Sequence, residues 1–154
     1  MKIMRRNCAV LLALSVLSLC AGCATGPQFS PSAHVGPPPG KALIYLYRMP
    51  QLACSACTEN IKVNGNYVGN LKNGSYFTYI ATPGRLDFTG KLGPGFNTLM
   101  TALSVEDKLM SLNVEAGKTY FIRFAYYQNI FCLKMDLIRE EAGKAELSNC
   151  RLSE

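Results

Sequence analysis

The sequence predicts an all-β fold, an antiparallel sandwich of the immunoglobulin-like or prealbumin-like kind, with one short helix near the C-terminus. After Gly40, short runs of β-forming residues follow one another and are separated by Gly, Pro and Asn turn signals. Several runs alternate apolar and polar residues, which gives each strand one buried and one solvated face. Because almost no stretch has a helical repeat of apolar residues, two packed sheets are the expected way to bury a core.

Turn signals divide residues 41–154, the predicted domain, into a series of strands. Asn64-Gly65 and Asn73-Gly74 suit tight hairpin reversals with positive φ, and Pro83-Gly84 marks another turn. Leu43–Tyr47 is apolar on both faces, so we expect this strand at the centre of a sheet. The predicted strands are 42–48, 60–64, 67–71, 75–81, 85–90, 98–105, 108–114, 119–127 and 130–138.

The C-terminal tail predicts the single helix, over residues 139–147. Glu140 and Glu141 favour a helix N-terminus, where the macrodipole is positive. Gly143 lowers the helix propensity of this stretch. The apolar stripe expected to pack on the sandwich consists of Ala142, Ala145 and Leu147.

Residues 1–22 predict an export signal, and Cys23 after it predicts a lipid anchor. Three cations precede an apolar run over residues 8–19, and small residues lie just before Cys23. Cys20 stands where such signals usually carry Leu, so secretion with cleavage at an Ala-x-Ala-like site is the alternative. The apolar run is shorter than the ~20 residues that cross a bilayer, which disfavours a retained membrane span.

Residues 23–40 predict a Pro- and Gly-rich tether between the lipid and the domain. They lack the apolar periodicity needed to bury a face. Pro37–Pro39 should stiffen the distal part of the tether into an extended form. We therefore expect the domain to be held off the membrane.

Four cysteines remain in the predicted domain, and an even number in an exported domain indicates two disulfides. A strand from residue 130 followed by a returning helix would bring Cys150 near Cys132, which leaves Cys54 to pair with Cys57. The Cys54-Ser-Ala-Cys57 motif has two other interpretations, a redox-active pair or a metal site with Cys132 or Cys150. A β-like run follows the motif instead of a helix, which favours a structural disulfide.

Composition and charge exclude several classes of function. The formal net charge of +6 becomes +3 for residues 23–154, because three cations and no anion lie in the signal, so no nucleic-acid partner is expected. The sole histidine, His34, lies in the tether, which excludes Ser-His and Cys-His catalytic pairs and His-containing zinc sites in the domain. We expect no catalytic residues, no metal site and no cofactor.

The aromatic residues near the end of the domain are the only ligand-binding candidates. Tyr126 and Tyr127 are the ones expected to reach solvent, where they would anchor a ligand. Aromatic residues are also normal in strands, so core packing is the alternative.

Four segments resemble a family of small bacterial envelope lipoproteins built on a domain of unknown function, similar in style to PEGA and other prealbumin-like sandwiches. The segments are KALIYLYR (41–48), VNGNYVGNLKNGSYF (63–77), TPG (82–84) and EAGKTYFIRF (115–124). The resemblance implies an all-β sandwich on a lipid anchor and brings no catalytic residues. A likeness to lipoproteins in general also implies, from Ala24 after Cys23, the periplasmic face of the outer membrane.

The sequence as a whole predicts a lipid-anchored envelope domain that acts as a non-enzymatic binding or structural accessory. Its expected partners are the membrane, through the N-terminal lipid, and an envelope protein or peptidoglycan. The alternative function is a periplasmic thiol-disulfide protein that uses Cys54 and Cys57.

Overall fold

The structure, a computed structural model, describes residues 24–33, 35–52, 54–93, 107–126 and 133–153. These residues form nine strands, one α-helix and a short 3₁₀ turn at Pro31–Ala33. The strands are β1 (Ala42–Arg48), β2 (Glu59–Val63), β3 (Asn66–Leu71), β4 (Ser75–Ala81), β5 (Gly84–Leu92), β6 (Asp107–Val114), β7 (Thr119–Tyr126), β8 (Leu133–Ile138) and β9 (Arg151–Leu152), and the helix is α1 (Glu140–Leu147). The predicted strand 98–105 lies outside the described residues.

The described strands form two sheets, which confirms the predicted sandwich. One sheet has five strands in the order β8-β7-β1-β4-β9, and the other has four in the order β3-β2-β5-β6. β1 lies in the middle of the five-stranded sheet, as its apolar residues on both faces predict. Ala42, Ile44 and Leu46 of β1 face the core between the sheets, and Leu43, Tyr45 and Tyr47 face the other side.

The five-stranded sheet is mixed, so the prediction of purely antiparallel pairing is wrong for two strand pairs. β7 pairs with β1 in parallel, and β9 pairs with β4 in parallel. The other two pairs of this sheet, β1 with β4 and β7 with β8, are antiparallel.

The two Asn-Gly turns have different roles. Asn64-Gly65, with φ of 50° and 79°, joins β2 to its antiparallel neighbour β3 in a tight hairpin. Asn73-Gly74 joins β3 to β4, which belong to different sheets, so this turn is a corner of the sandwich rather than the expected hairpin. Only Gly74 has a positive φ there, at 68°.

Helix α1 packs on the outer face of the five-stranded sheet, and of the predicted stripe only Leu147 faces the sheet. Ala142 and Ala145 are exposed, whereas Gly143 and Leu147 are buried. A Cβ atom at Gly143 would lie 2.6 Å from the Phe121 side chain on β7. The glycine that weakens the helix propensity therefore allows the helix to approach the sheet closely.

Residues 24–30, called here the N-terminal strap, pack on the domain, although the sequence predicts a free tether for them. The Phe29 amide donates to the Cys150 carbonyl, at 3.0 Å, and the Leu152 amide donates to the Pro27 carbonyl, at 2.8 Å. The Phe29 ring makes edge contacts with Tyr45 and Tyr76, each with ring centroids 5.6 Å apart. The strap lies beside β9 because these backbone and aromatic contacts replace water along its length.

Candidate functional site

The described part of the segment that links β1 to β2, residues 49–52 and 54–58, forms a disulfide loop at one end of the sandwich. The sulfurs of Cys54 and Cys57 lie at disulfide distance, and the two Cα atoms are 5.1 Å apart. Cys54 has a φ of 54°, and its carbonyl accepts a hydrogen bond of 2.9 Å from the Cys57 amide. The pair therefore spans a tight turn. It does not begin a helix, which agrees with the β-like run that follows the motif in the sequence.

Arg48 anchors this loop to the sandwich through two hydrogen bonds. Its guanidinium Nη1 donates to the Cys57 carbonyl at 2.8 Å, and Nη2 donates to the Cys54 carbonyl at 2.6 Å. The Arg48 side chain is fully buried, at the end of the β1 face that carries Ile44 and Leu46. Two charge-assisted hydrogen bonds from a rigid planar group fix the orientation of the loop.

Glu59 and Tyr126 complete a buried polar group with Arg48, called here the Arg48 cluster. Glu59 on β2 is 1% exposed and accepts a hydrogen bond from the Tyr126 hydroxyl on β7. The Arg48 guanidinium carbon lies 5.1 Å from the centre of the Tyr126 ring, which is a cation–π geometry. The cluster thus joins the two sheets beneath the disulfide loop.

Burial dominates the electrostatics of the cluster. It raises the pKa of Glu59 to about 8, although the opposing charge of Arg48 lowers it. Burial also lowers the pKa of Arg48, and the carboxylate of Glu59 acts in the opposite direction. The ionisation of Glu59 near neutral pH is therefore coupled to the structure around the disulfide loop.

The sequence-predicted ligand residue Tyr126 is buried, so the expectation that it reaches solvent is wrong. Alternate residues of β7, from Ile122 through Phe124 to Tyr126, face the core between the sheets. The Tyr126 hydroxyl donates a hydrogen bond to Glu59. Tyr127, the other ligand candidate, lies outside the described residues.

Cys150 is a free, buried thiol, which differs from the predicted Cys132–Cys150 disulfide. Its Sγ lies 3.5 Å from the Arg48 carbonyl oxygen, and burial raises the pKa of the thiol to about 12. The predicted pairing requires α1 to return along β8. Instead, the helix crosses the sheet to β9 on the opposite edge. Four strand spacings, roughly 19 Å, separate these edges. Cys132 lies outside the described residues, as does Cys23.

Sequence reasoning missed Arg48 and Glu59, although the alternation of their strands carries the signal. Arg48 stands at the next core position after Ala42, Ile44 and Leu46, and Glu59 stands two residues before Ile61 on the same face. A charged residue in phase with core residues indicates a buried ion or a strand end. The sequence alone does not distinguish these two cases.

The described residues contain no group of three His, Cys, Asp or Glu side chains that could hold a metal ion. No helix in the described part of the chain is long and apolar enough to cross a membrane.

The fold and the cluster define a class of protein: an all-β sandwich domain with a disulfide loop fastened by a buried arginine. Residues 38–131, more than half of the chain, match the family described as "Protein of unknown function (DUF2846)". The chain belongs to this family. Searches of curated proteins and of solved structures gave no match.

Proposed function

We propose that this protein is a lipid-anchored domain of the bacterial cell envelope that acts by binding, without catalytic turnover. The observation that carries the proposal is the position of Ala24, the residue after Cys23. Ala24 is 8% exposed, and its amide donates to the Asn73 carbonyl at 3.4 Å. A lipid on Cys23 would therefore attach directly to the folded domain, and this suits a module that presents a surface at a fixed place on the membrane.

Lipidation is tested by comparing the wild-type protein with the Cys23→Ser variant in the bacterial envelope. The wild-type protein should remain in the membrane fraction until detergent is added, and its intact mass should include acyl chains on Cys23. The variant should be extracted without detergent. A wild-type mass without acyl chains, or an N-terminus at another residue, would refute the lipid anchor.

The β3 edge of the four-stranded sheet is the surface that best suits an extended peptide from another envelope protein. Tyr67 on this strand is 58% exposed, and it borders a cleft of about 270 Å³ that also contacts Gly69, Phe77 and Ser153. An edge strand offers backbone hydrogen-bonding groups, and a neighbouring cleft accepts a side chain of the added strand. This is β-strand addition with one aromatic anchor.

A photo-crosslinking amino acid in place of Tyr67 tests this surface in intact cells. The expected result is one discrete crosslinked species, which Gly69→Arg, aimed at filling the cleft, should remove. The same probe at Asn113, an exposed residue on the opposite edge strand β6, is the matched control. Equal crosslinking from both positions would show that the β3 edge has no specific partner.

The second candidate function is thiol-disulfide exchange, which two features of the loop favour. Cys54 is half-buried and Cys57 is buried, so a substrate would reach Cys54 first. Arg48 holds a positive charge beneath the loop, and a nearby cation stabilises a thiolate. In the reducing direction, the Cys54–Cys57 dithiol would become a disulfide while a substrate disulfide gained two electrons and two protons to become two thiols.

The double variant Cys54→Ser/Cys57→Ser separates the two functions. If binding is the function, the folded double variant should keep the phenotype of the intact gene, and the wild-type domain should not turn over a disulfide substrate. Circular dichroism confirms that the variant is folded. Loss of the phenotype, together with turnover by the wild type, would replace the binding proposal with the redox function.

A further inference from the structure

We propose that the disulfide loop and the start of the N-terminal strap form one membrane-contacting surface, and that Leu52 enters the lipid layer there. This inference rests on the proposed lipid anchor at Cys23. It adds an orientation: the end of the sandwich that carries the disulfide loop faces the bilayer.

Asn73 joins the two parts of this surface. Its backbone carbonyl accepts the hydrogen bond from the Ala24 amide, and its side-chain Oδ1 accepts one of 2.9 Å from the Gln51 amide. Cys23 is bonded to Ala24, and Leu52 is bonded to Gln51. Covalently bonded residues have Cα atoms about 3.8 Å apart. The proposed lipid attachment point, Cys23, and Leu52 are therefore close to each other.

Leu52 is an apolar side chain exposed on the disulfide loop. It is 92% exposed, more than any other large apolar residue among those described. Pro50 beside it packs against Gly74, where an added Cβ would lie 3.2 Å from the Pro50 ring. The disulfide and the two hydrogen bonds from Arg48 hold the other side of the loop. An exposed apolar side chain beside a lipid anchor is suited to the boundary between headgroups and acyl chains.

The strap leaves no spacer between the bilayer and this end of the domain. Gly26 packs against Leu152, and the Arg151 guanidinium donates to the Gly26 carbonyl at 3.2 Å. Arg151 is exposed, and Lys72 immediately precedes Asn73, so two cations lie beside the point where the strap begins. Cations next to an inserted apolar group favour contact with anionic headgroups.

Tryptophan fluorescence tests the orientation directly, because the chain contains no tryptophan. Leu52→Trp places a single reporter in the disulfide loop of the lipidated, full-length protein. Ile80→Trp is the matched control, since Ile80 is also apolar and 54% exposed. It lies five residues along β4 from Ser75, roughly 17 Å toward the other end of the sandwich. Each variant is reconstituted into vesicles of neutral and anionic phospholipids, with or without lipids spin-labelled near the headgroup.

The Leu52→Trp protein should show a blue-shifted emission in vesicles and should lose most of its intensity with spin-labelled lipid. The Ile80→Trp emission should remain unchanged. A vesicle-bound Leu52→Trp protein whose emission and quenching equal those of Ile80→Trp would overturn the membrane-contacting surface while leaving the lipid anchor intact. A wild-type protein without acyl mass that does not bind vesicles would overturn the lipid anchor, and with it this orientation.

Amide hydrogen exchange of the unsubstituted protein supplies an independent measurement. Exchange in residues 49–58 should slow on vesicles relative to detergent, whereas exchange around Ile80 should not change. Equal rates in vesicles and detergent for the loop would contradict the inference without any substitution in the chain.

Discussion

Arg48, a buried residue, holds together the end of the sandwich that carries the disulfide loop. Arg48 occupies a core position of β1, where an apolar residue would satisfy the strand pattern. Its guanidinium instead satisfies the carbonyls of Cys54 and Cys57, which face the interior of the loop. Desolvating a cation is costly, so the arrangement is favourable only while its hydrogen-bond and charge partners are all present.

Replacing Arg48 by Met should destabilise the protein by roughly 2–6 kcal/mol, because the carbonyls of Cys54 and Cys57 lose their buried donor and each unsatisfied buried acceptor costs about 1–3 kcal/mol. Urea unfolding measures the change in the free energy of unfolding. Arg85→Met is the control, since the Arg85 side chain is 66% exposed and should change stability by less than ~0.5 kcal/mol. Equal effects of the two substitutions would show that Arg48 does not hold the loop.

Glu59 should make the stability of the protein fall as pH rises. Its pKa is about 8 in the folded state, against 4.5 as the ordinary value, so the folded protein binds more protons than the unfolded chain between these pH values. The stabilising contribution of the protonated carboxyl is complete below the unfolded pKa and is lost as pH rises through the folded pKa.

The free energy of unfolding, measured from about pH 5 to pH 9, should therefore decrease for the wild type and vary less for Glu59→Gln. Glu115→Gln, at an exposed position, is the matched control and should follow the wild-type curve. Parallel curves for the wild type and Glu59→Gln would contradict the raised pKa of Glu59.

At the scale of single elements, α1 and the strap cover the outer face of the five-stranded sheet and form a second core. This core contains Phe29, Tyr45, Tyr47, Phe121, Leu147 and Cys150. Tyr45 stacks on Phe121 with ring centroids 5.3 Å apart. The described residues therefore form three layers: the four-stranded sheet, the five-stranded sheet, and the helix with the strap.

Gly143→Ala should destabilise the protein, although Ala favours a helix over Gly by about 1 kcal/mol. The added Cβ would meet Phe121 at 2.6 Å, and overpacking of a tight contact costs roughly 1–3 kcal/mol. Glu141→Ala, on the exposed side of the same helix, is the control for propensity alone. Urea unfolding compares the two variants. A more stable Gly143→Ala protein would mean that the helix does not approach the sheet this closely.

Phe29→Ala should release the strap from the sheet. Phe29 is 7% exposed and contacts Tyr45 and Tyr76, so its loss should cost about 3 kcal/mol. Thermal unfolding reports the loss of stability, and limited proteolysis should cut the strap faster in this variant. Val35→Ala is the control, because Val35 is 77% exposed. If both variants resist proteolysis equally, the strap is not held by Phe29.

At the scale of the whole molecule, the order of strands decides where Cys150 lies. α1 carries the chain from β8 on one edge of the sheet to β9 on the other, and β9 pairs in parallel with β4 at Ser75 and Tyr76. Cys150 therefore precedes β9 beneath the helix. Its buried position makes it a reporter of global unfolding.

Cys150 should not react with iodoacetamide in the native protein and should react as the protein unfolds in urea, because its thiol is buried and has a raised pKa. Non-reducing peptide mapping should recover Cys54 and Cys57 in one disulfide-linked pair and Cys150 as a free thiol. A peptide that links Cys132 to Cys150 would instead restore the pairing that the sequence predicts.

The sequence by itself determined the fold class and most of the strands. The predicted boundaries of β1 and β4 match the structure, and the period-two alternation of Leu86 and Phe88 predicts the buried face of β5, although Leu137, in phase with Met135 on β8, is half exposed. These features follow from local rules, because turn residues and side-chain alternation act over a few neighbouring positions.

Only the tertiary structure decided which strands are neighbours, that the strap docks beside β9, and that Arg48, Glu59 and Tyr126 meet. These three residues come from β1, β2 and β7 and are brought together by the packing of one sheet on the other. The same holds for Gly143, whose role depends on how closely Phe121 approaches. Local sequence patterns do not determine such distances, because the distances arise from the combined packing of segments far apart in the chain.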